Sequence, residues 1–326
     1  MLVSEIGFGG SRIGGVFAGK GSSSNDALHV LRSALDAGIT FYDTADMYSQ
    51  GESEALIGKA FRERRQQVVI ATKGGFTLPT RRNLIKHIKP LVRPIIRALG
   101  LKRARLPSGM AGALSQDFSP AYLGRALEGS LKRLQTDYVD LYQLHSPGPS
   151  FVQSAAFGEA LQTLEKLKAQ GKIRFYGVAT EVPEDAPYCL AAPGISSLQV
   201  GFGLLDPEAL DQGTLEAARA RGLAVIARGC FGGGLLKEGL DEAHLKQATP
   251  KWQTILALRD YAVRTNRPLL DIAFQFCRGN PAVSVTLLGM RVESHLRDNL
   301  RYLDGQPLST EEFEALRQLR LAPRQA

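Results

Sequence analysis

"FYDTADMYSQGESEALIGKAF" runs from Phe41 to Phe61 and decides how the rest of the chain is read. Its opening belongs to a short apolar run, ITFYD, that ends on Asp43, as a buried strand does when it reaches a polar edge. Asp43, Asp46 and Tyr48 then share a polar turn, and ESEALIGKAF after them has the spacing of a helix. A carboxylate and a phenol therefore stand close together where a buried strand gives way to a helix.

The same alternation continues on both sides. Upstream, Leu28, Leu31 and Leu35 predict a helix over Asn25–Ala37, with Ser24 or Asn25 as its cap and Gly38 as its stop. Downstream, QVVIATK reads as a strand ending at Lys73, and Ser119–Leu134 as a helix with Ser119 capping and Pro120 at its first position. YVDLYQLH is a strand ending at His145, followed by a helix over Gly158–Gln170. IRFYGVAT, SSLQVGF, LAVIAR and AVSVTLLG are further strands, with helices over Thr214–Arg221, Lys251–Thr265 and Ser294–Leu303. Most strands are followed by a helix, which predicts an α/β chain with a parallel sheet. The count fits a (β/α)8 TIM barrel in a single domain over residues 1–326. A doubly wound open sheet competes. It would carry a glycine fingerprint after its first strand, and GFGGSR at Gly7–Arg12 is not GxGxxG.

The 326 residues, 44% hydrophobic and 22% charged, describe an ordinary globular protein with a large core. No apolar run is long enough to span a membrane, and the polar, glycine-rich start is no signal peptide. Cys189, Cys230 and Cys277 are far apart and form no CxxC, which predicts a reducing, cytoplasmic setting. The net charge of +8 is local. Nine basic residues (Arg81, Arg82, Lys86, Lys89, Arg93, Arg97, Lys102, Arg103 and Arg105) and no acidic ones lie between Thr77 and Gln116, so the remainder is close to neutral. This stretch, residues 77–117, is read as an insertion after the Lys73 strand. NLIKHIKPLVRPIIRALGL within it suits a kinked amphipathic helix. Of three roles, a lid over a substrate pocket is favoured, because loops on that face of a barrel set specificity, over a surface for a membrane or an acidic partner and over a solvated insertion with no ligand. It has almost no aromatic residues for base stacking, so no nucleic acid is expected.

In a barrel the strand C-termini ring one mouth. Asp43, Lys73 and His145 end three consecutive predicted strands, with Tyr48 on the loop above the first. A phenol with an ordinary pKa near 10 is a poor acid at neutral pH. A neighbouring ammonium stabilises the phenolate and is expected to lower that value. Asp43 would keep Lys73 charged, and His145 would bond a substrate oxygen or relay a proton. The set makes Tyr48 a candidate general acid or base. No side chain is an evident nucleophile, so a hydride-donating cofactor is the simplest supplier. A metal-dependent hydrolase would want several His or carboxylate ligands, and of five histidines only His145 is well placed.

With these four residues placed, the chain resembles the aldo-keto reductase superfamily. FYDTADMYSQGESEALIGKAF, ATKGG and DYVDLYQLHSP look like three of its strand signatures, and the similarity runs from about Glu5 to Leu303. The resemblance implies a (β/α)8 barrel that reduces small-molecule carbonyl substrates with NAD(P)H. It implies Asp43, Tyr48, Lys73 and His145 as the catalytic tetrad. It also implies Gln199 on the nicotinamide carboxamide, and Gly232, Gly233 and Gly234 beside the pyrophosphate. Near the C-terminus, LLGMRVESHLRDNLRYL is similar to the adenine-side motif. Asp298 and Asn299 would read the adenine, Gly289 and Arg291 would lie on the loop that meets a 2′-phosphate, and His295 stands where Arg or Gln is common. Arg291 and Arg297 would supply the charge that favours NADPH over NADH. Two positions depart from the pattern. Ala179 and Thr180 stand where Ser-Asn is usual, so Thr180 would remake that contact, and Arg228 stands where an aromatic often stacks on the nicotinamide. The same residues would serve an NAD(P)-dependent alcohol or sugar dehydrogenase. A cofactor-binding regulatory subunit with little turnover is the other alternative.

Overall fold

The computed structural model describes residues 2–14, 23–77, 115–181 and 185–319. Eight parallel strands close into a barrel. In chain order the strands are β1 (Ile6–Gly9), β2 (Phe41–Asp43), β3 (Val69–Gly74), β4 (Phe76–Thr77), β5 (Ser115–Gln116), β6 (Val139–His145), β7 (Ile173–Ala179), β8 (Ser197–Gly201), β9 (Ala224–Arg228) and β10 (Val283–Gly289). β4 and β5 form a separate antiparallel pair. The other eight run β1-β2-β3-β6-β7-β8-β9-β10, and β10 pairs with β1 to complete the ring. This is the (β/α)8 architecture expected from the alternation.

Side-chain alternation along each strand sorts residues into two cores. Phe41, Val69, Ala71, Leu141, Ile226, Val285 and Leu287 fill the barrel interior. Tyr42, Ile70, Tyr142, Leu144, Val178, Leu198 and Val225 face the helices and join the larger outer core. Inward positions two residues beyond the interior set are Asp43, Lys73 and Arg228, with Gln143 and then His145 following Leu141. The period that fills the core thus also delivers these polar groups to the C-terminal mouth. The interior is tight near Gly7, where a Cβ would come within 2.7 Å of Leu287 and Val285. That glycine-rich shortness hides β1 from a pattern search.

Helix boundaries follow local chemistry. The first helix spans Ser24–Asp36 and its cap is Ser23, not Ser24 or Asn25. Ser23 accepts from the Asp26 amide, and the Asp26 carboxylate accepts from the Ser23 amide, a capping box that fixes the start one residue earlier. Ser119 caps Pro120–Leu134 as expected, accepting from Tyr122 N–H. The pattern misses the helix Leu269–Arg278, a short run buried without a break from Ile272 to Cys277 and including the polar Gln275. Among the described residues no helix is long and apolar enough to cross a membrane. The basic stretch from Arg81 to Arg105 lies outside the described residues. Only its base is seen, where Phe76 pairs with Gln116 and Thr77 with Ser115.

Candidate active site

The barrel brings Asp43, Lys73, His145 and the Tyr48 loop to one mouth. Lys73 Nζ donates to both Asp43 carboxylate oxygens, at 2.6 and 2.7 Å, and to the Thr44 carbonyl at 2.9 Å. The ammonium stands 5.1 Å from the centroid of the Tyr48 ring. His145 meets the same ring edge-on, with centroids 5.7 Å apart. On its other side Phe76 packs against His145 at 4.9 Å, again edge to face.

The loop carrying Tyr48 is fixed from several directions. The Asp46 amide donates to the Lys73 carbonyl at 3.1 Å, tying the loop to β3. Ser49 Oγ donates to the Ile13 carbonyl, and Ser53 Oγ to the Gly10 carbonyl, tying it to the segment after β1. Ser49 and Gln50 both adopt left-handed backbone angles, as does Gly51 at the helix entry. For the two non-glycine residues this conformation is uncommon and is held by the surrounding contacts.

Burial dominates the electrostatics. It raises the Asp43 carboxyl, and Lys73 pulls it back. Burial alone would lower Lys73, but Asp43 and Tyr48 outweigh it and the ammonium ends above its ordinary value. Tyr48 corrects the expectation from the sequence. Burial raises its phenol, and although Lys73 lowers it by charge and hydrogen bonding, the net direction is upward. Burial, reinforced by Lys73 and Arg228, pushes His145 down to about 3. The imidazole is therefore neutral, and its Nδ1 has no hydrogen-bond partner among the described residues.

From this centre a cleft runs between the loops after β1, β9 and β10. Tyr48, Gln199 and Arg228 line its inner end. Gln199 Nε2 donates to Asp43 at 3.4 Å, leaving its buried Oε1 without a partner among the described residues. Thr180 is buried, and its hydroxyl lies 3.4 Å from the Gln199 carbonyl. Arg228 Nη2 donates to the Thr180 carbonyl at 2.8 Å and to Glu181 at 2.9 Å. Gly233 and Gly234 line the cleft with left-handed φ and open space where a Cβ would stand. Gly232 instead backs onto Leu205. Gly289, Arg291 and His295 form the outer wall, where the Arg291 amide donates to His295 Nδ1 at 3.4 Å. Asp298 and Asn299 sit on the helix Glu293–Arg301 behind that wall. Asp298 is exposed and 3.7 Å from Arg301, whereas Asn299 is buried with Nδ2 lacking a partner among the described residues.

These features suit a long, polyanionic ligand with an amide at one end. Gln199 Oε1 is a buried acceptor awaiting a donor, and Arg12, Lys237 and Arg291 set cations along the walls. Sequence reasoning missed Arg12, Lys237, Phe76 and Glu181. Arg12 follows the unrecognised β1, and Phe76 is only three residues beyond Lys73.

Residues 5–321 match the sequence model of the Aldo/keto reductase family. The chain belongs to that family. Aldo/keto reductases are NAD(P)H-dependent oxidoreductases, and this chain is an enzyme of that class. Over 322 residues it is 29% identical to YqkF, an uncharacterized oxidoreductase of Bacillus subtilis, covering 96% of this chain and 92% of that protein. Its fold is similar to the holo form of an aldo-keto reductase from Bacillus halodurans, with a TM-score of 0.75 and 27% identity, covering 97% and 92% of the two chains. It is also similar to an aldo-keto reductase from Klebsiella pneumoniae in complex with NADPH, with a TM-score of 0.68 and 26% identity, covering 99% and 93%.

Proposed function

We propose that this aldo/keto reductase reduces the carbonyl of an aldehyde or ketone, with NADPH as its cofactor and Tyr48 as the acid. The observation that carries the reading is the placement of Lys73, locked on Asp43 and held against the Tyr48 ring. NADPH, when bound, supplies a hydride to the carbonyl carbon. The phenol of Tyr48 gives its proton to the carbonyl oxygen. Its raised pKa keeps it protonated at neutral pH, and Lys73 stabilises the phenolate left behind. Asp43 keeps Lys73 charged and aimed. Neutral His145 holds the carbonyl oxygen by hydrogen bonding, and Phe76 walls the pocket beside it.

Gln199 Oε1 would accept from the nicotinamide carboxamide. Arg12 and Lys237 would hold the phosphates, and Arg291 beside Gly289 would supply the charge that a 2′-phosphate needs. The Klebsiella relative in complex with NADPH supports this preference over NADH. The reverse oxidation of an alcohol or sugar would use the same residues, with Tyr48 taking the proton that it gives in reduction. Asp298 and Asn299 remain our candidates for the adenine edge. We place the protein in the cytoplasm, because Cys189, Cys230 and Cys277 are all unpaired and buried. The test is steady-state oxidation of NADPH and NADH across a panel of aldehydes, keto sugars and larger ketones. Turnover with at least one carbonyl, and a higher kcat/KM with NADPH, is expected. No turnover across the panel would overturn the reading.

A further inference from the structure

We infer that Arg228, moderated by Glu181, makes this site bind the reduced cofactor in strong preference to the oxidised one. The inference rests on the nicotinamide cofactor reading above and adds a specific role for one cation.

Arg228 ends β9, where side-chain alternation turns it inward after Ile226. Its register partner on β8 is Gly201, which has no side chain to block it. Arg228 Nη1 stands 4.0 Å from the point where a Gly201 Cβ would be. The guanidinium therefore crosses the end of β8 and anchors just past the end of β7, through Nη2, at the Thr180 carbonyl and the Glu181 carboxylate. There it walls the cleft together with Tyr48 and Gln199. Gln199 carries the buried acceptor suited to the carboxamide, so a nicotinamide held there lies beside the guanidinium.

The charge balance at this end is uneven. The charge of Lys73 is matched by Asp43 at 2.6 Å, with both side chains almost fully covered. The partner of Arg228 is Glu181, whose side chain is 68% exposed, so water screens its counter-charge. Arg228 is itself 32% exposed, so of the two charges its own is the less screened, on the side that faces the cleft. A reduced nicotinamide ring is uncharged, whereas the oxidised ring carries one positive charge. A cation a few ångströms away therefore disfavours the oxidised form alone. An aromatic side chain at position 228 would stack on either form without this penalty. The consequence for turnover is early release of oxidised cofactor and a bias towards reduction.

The experiment is a pair of titrations on the full chain. The dissociation constant for NADPH is read from its fluorescence, and that for NADP⁺ by displacement of NADPH. The ratio of the two is compared in the wild type, Arg228→Met, Arg228→Lys and Glu181→Gln. Removing the charge in Arg228→Met should bring NADP⁺ closer to NADPH by about tenfold. Arg228→Lys should keep most of the wild-type ratio, and Glu181→Gln should widen it. An unchanged ratio in Arg228→Met, or a ratio in Arg228→Lys that falls as far as in Arg228→Met, would overturn the inference while leaving the cofactor reading intact. Failure of the wild type to bind either form would overturn both. If Arg228→Met does not fold, as judged by circular dichroism, an unchanged or narrowed ratio in Glu181→Gln would still overturn the inference.

Discussion

Lys73 donates to both carboxylate oxygens of Asp43, and neither side chain is more than 5% exposed. Such a pair is sustained by mutual compensation, because each charge would be costly alone in that interior. Lys73→Met should therefore destabilise the fold by about 3–5 kcal/mol, since it leaves the Asp43 carboxylate buried without its cation. Urea denaturation checks this. Asp43→Leu combined with Lys73→Met should recover a large part of the loss, because no charge is then stranded.

His145 makes stability depend on pH in a defined window. Its folded pKa of about 3 lies below the unfolded value of 6.5, so between them the unfolded chain binds the extra proton. Stability from this group is complete above pH 6.5 and is lost as pH falls towards 3. By pH 5 about 2 kcal/mol has gone, at about 1.4 kcal/mol for each pH unit. His145→Asn should show a correspondingly smaller loss between pH 7 and pH 5 in urea titrations. Equal losses in both proteins would contradict a neutral, buried imidazole.

Gly177 lies inside the barrel on β7, where a Cβ would meet Ser197 Oγ at 2.2 Å and the Ser197 carbonyl at 2.4 Å. The backbone of β8 cannot retreat without breaking its ladder with β9. Gly177→Val should cost about 1–3 kcal/mol or more by overpacking. Thermal unfolding at matched pH measures it, and Gly158→Ala, on a helix position with open space, serves as the control.

Arg291 offers a charge at the outer wall of the cleft. Arg291→Gln should weaken NADPH binding by about tenfold, as loss of one charge-assisted contact to a phosphomonoester would. NADH binding should change little. Equal weakening of both cofactors would place Arg291 elsewhere along the dinucleotide.

Much of this was legible in the sequence because one physical rule governs both fold and site. Alternation along a strand fills the barrel with Phe41, Ala71 and Leu141, and the same parity carries Asp43, Lys73 and His145 to the mouth. What escaped did so for physical reasons. β1 is four residues with two glycines, so Ile6 and Phe8 are its only apolar positions, too few to read as a strand. Leu269–Arg278 is only ten residues long and buries polar Asp271 and Gln275 among its apolar side chains, so a short apolar run there does not tell helix from strand. The Ser23 cap was missed because Asp26 fixes the helix start through a reciprocal pair of bonds. The direction of the Tyr48 shift was misjudged because a sequence reveals the neighbouring cation but not the depth of burial that outweighs it.

The central claim is that Tyr48 delivers the proton while other groups hold the cofactor. Tyr48→Phe keeps the ring against Lys73 and His145 and removes only the hydroxyl. With a carbonyl that the wild type reduces, kcat/KM should fall by about 10²–10⁴-fold, while the dissociation constant for NADPH stays within a few-fold of wild type. A Tyr48→Phe protein that turns over at the wild-type rate would contradict the account.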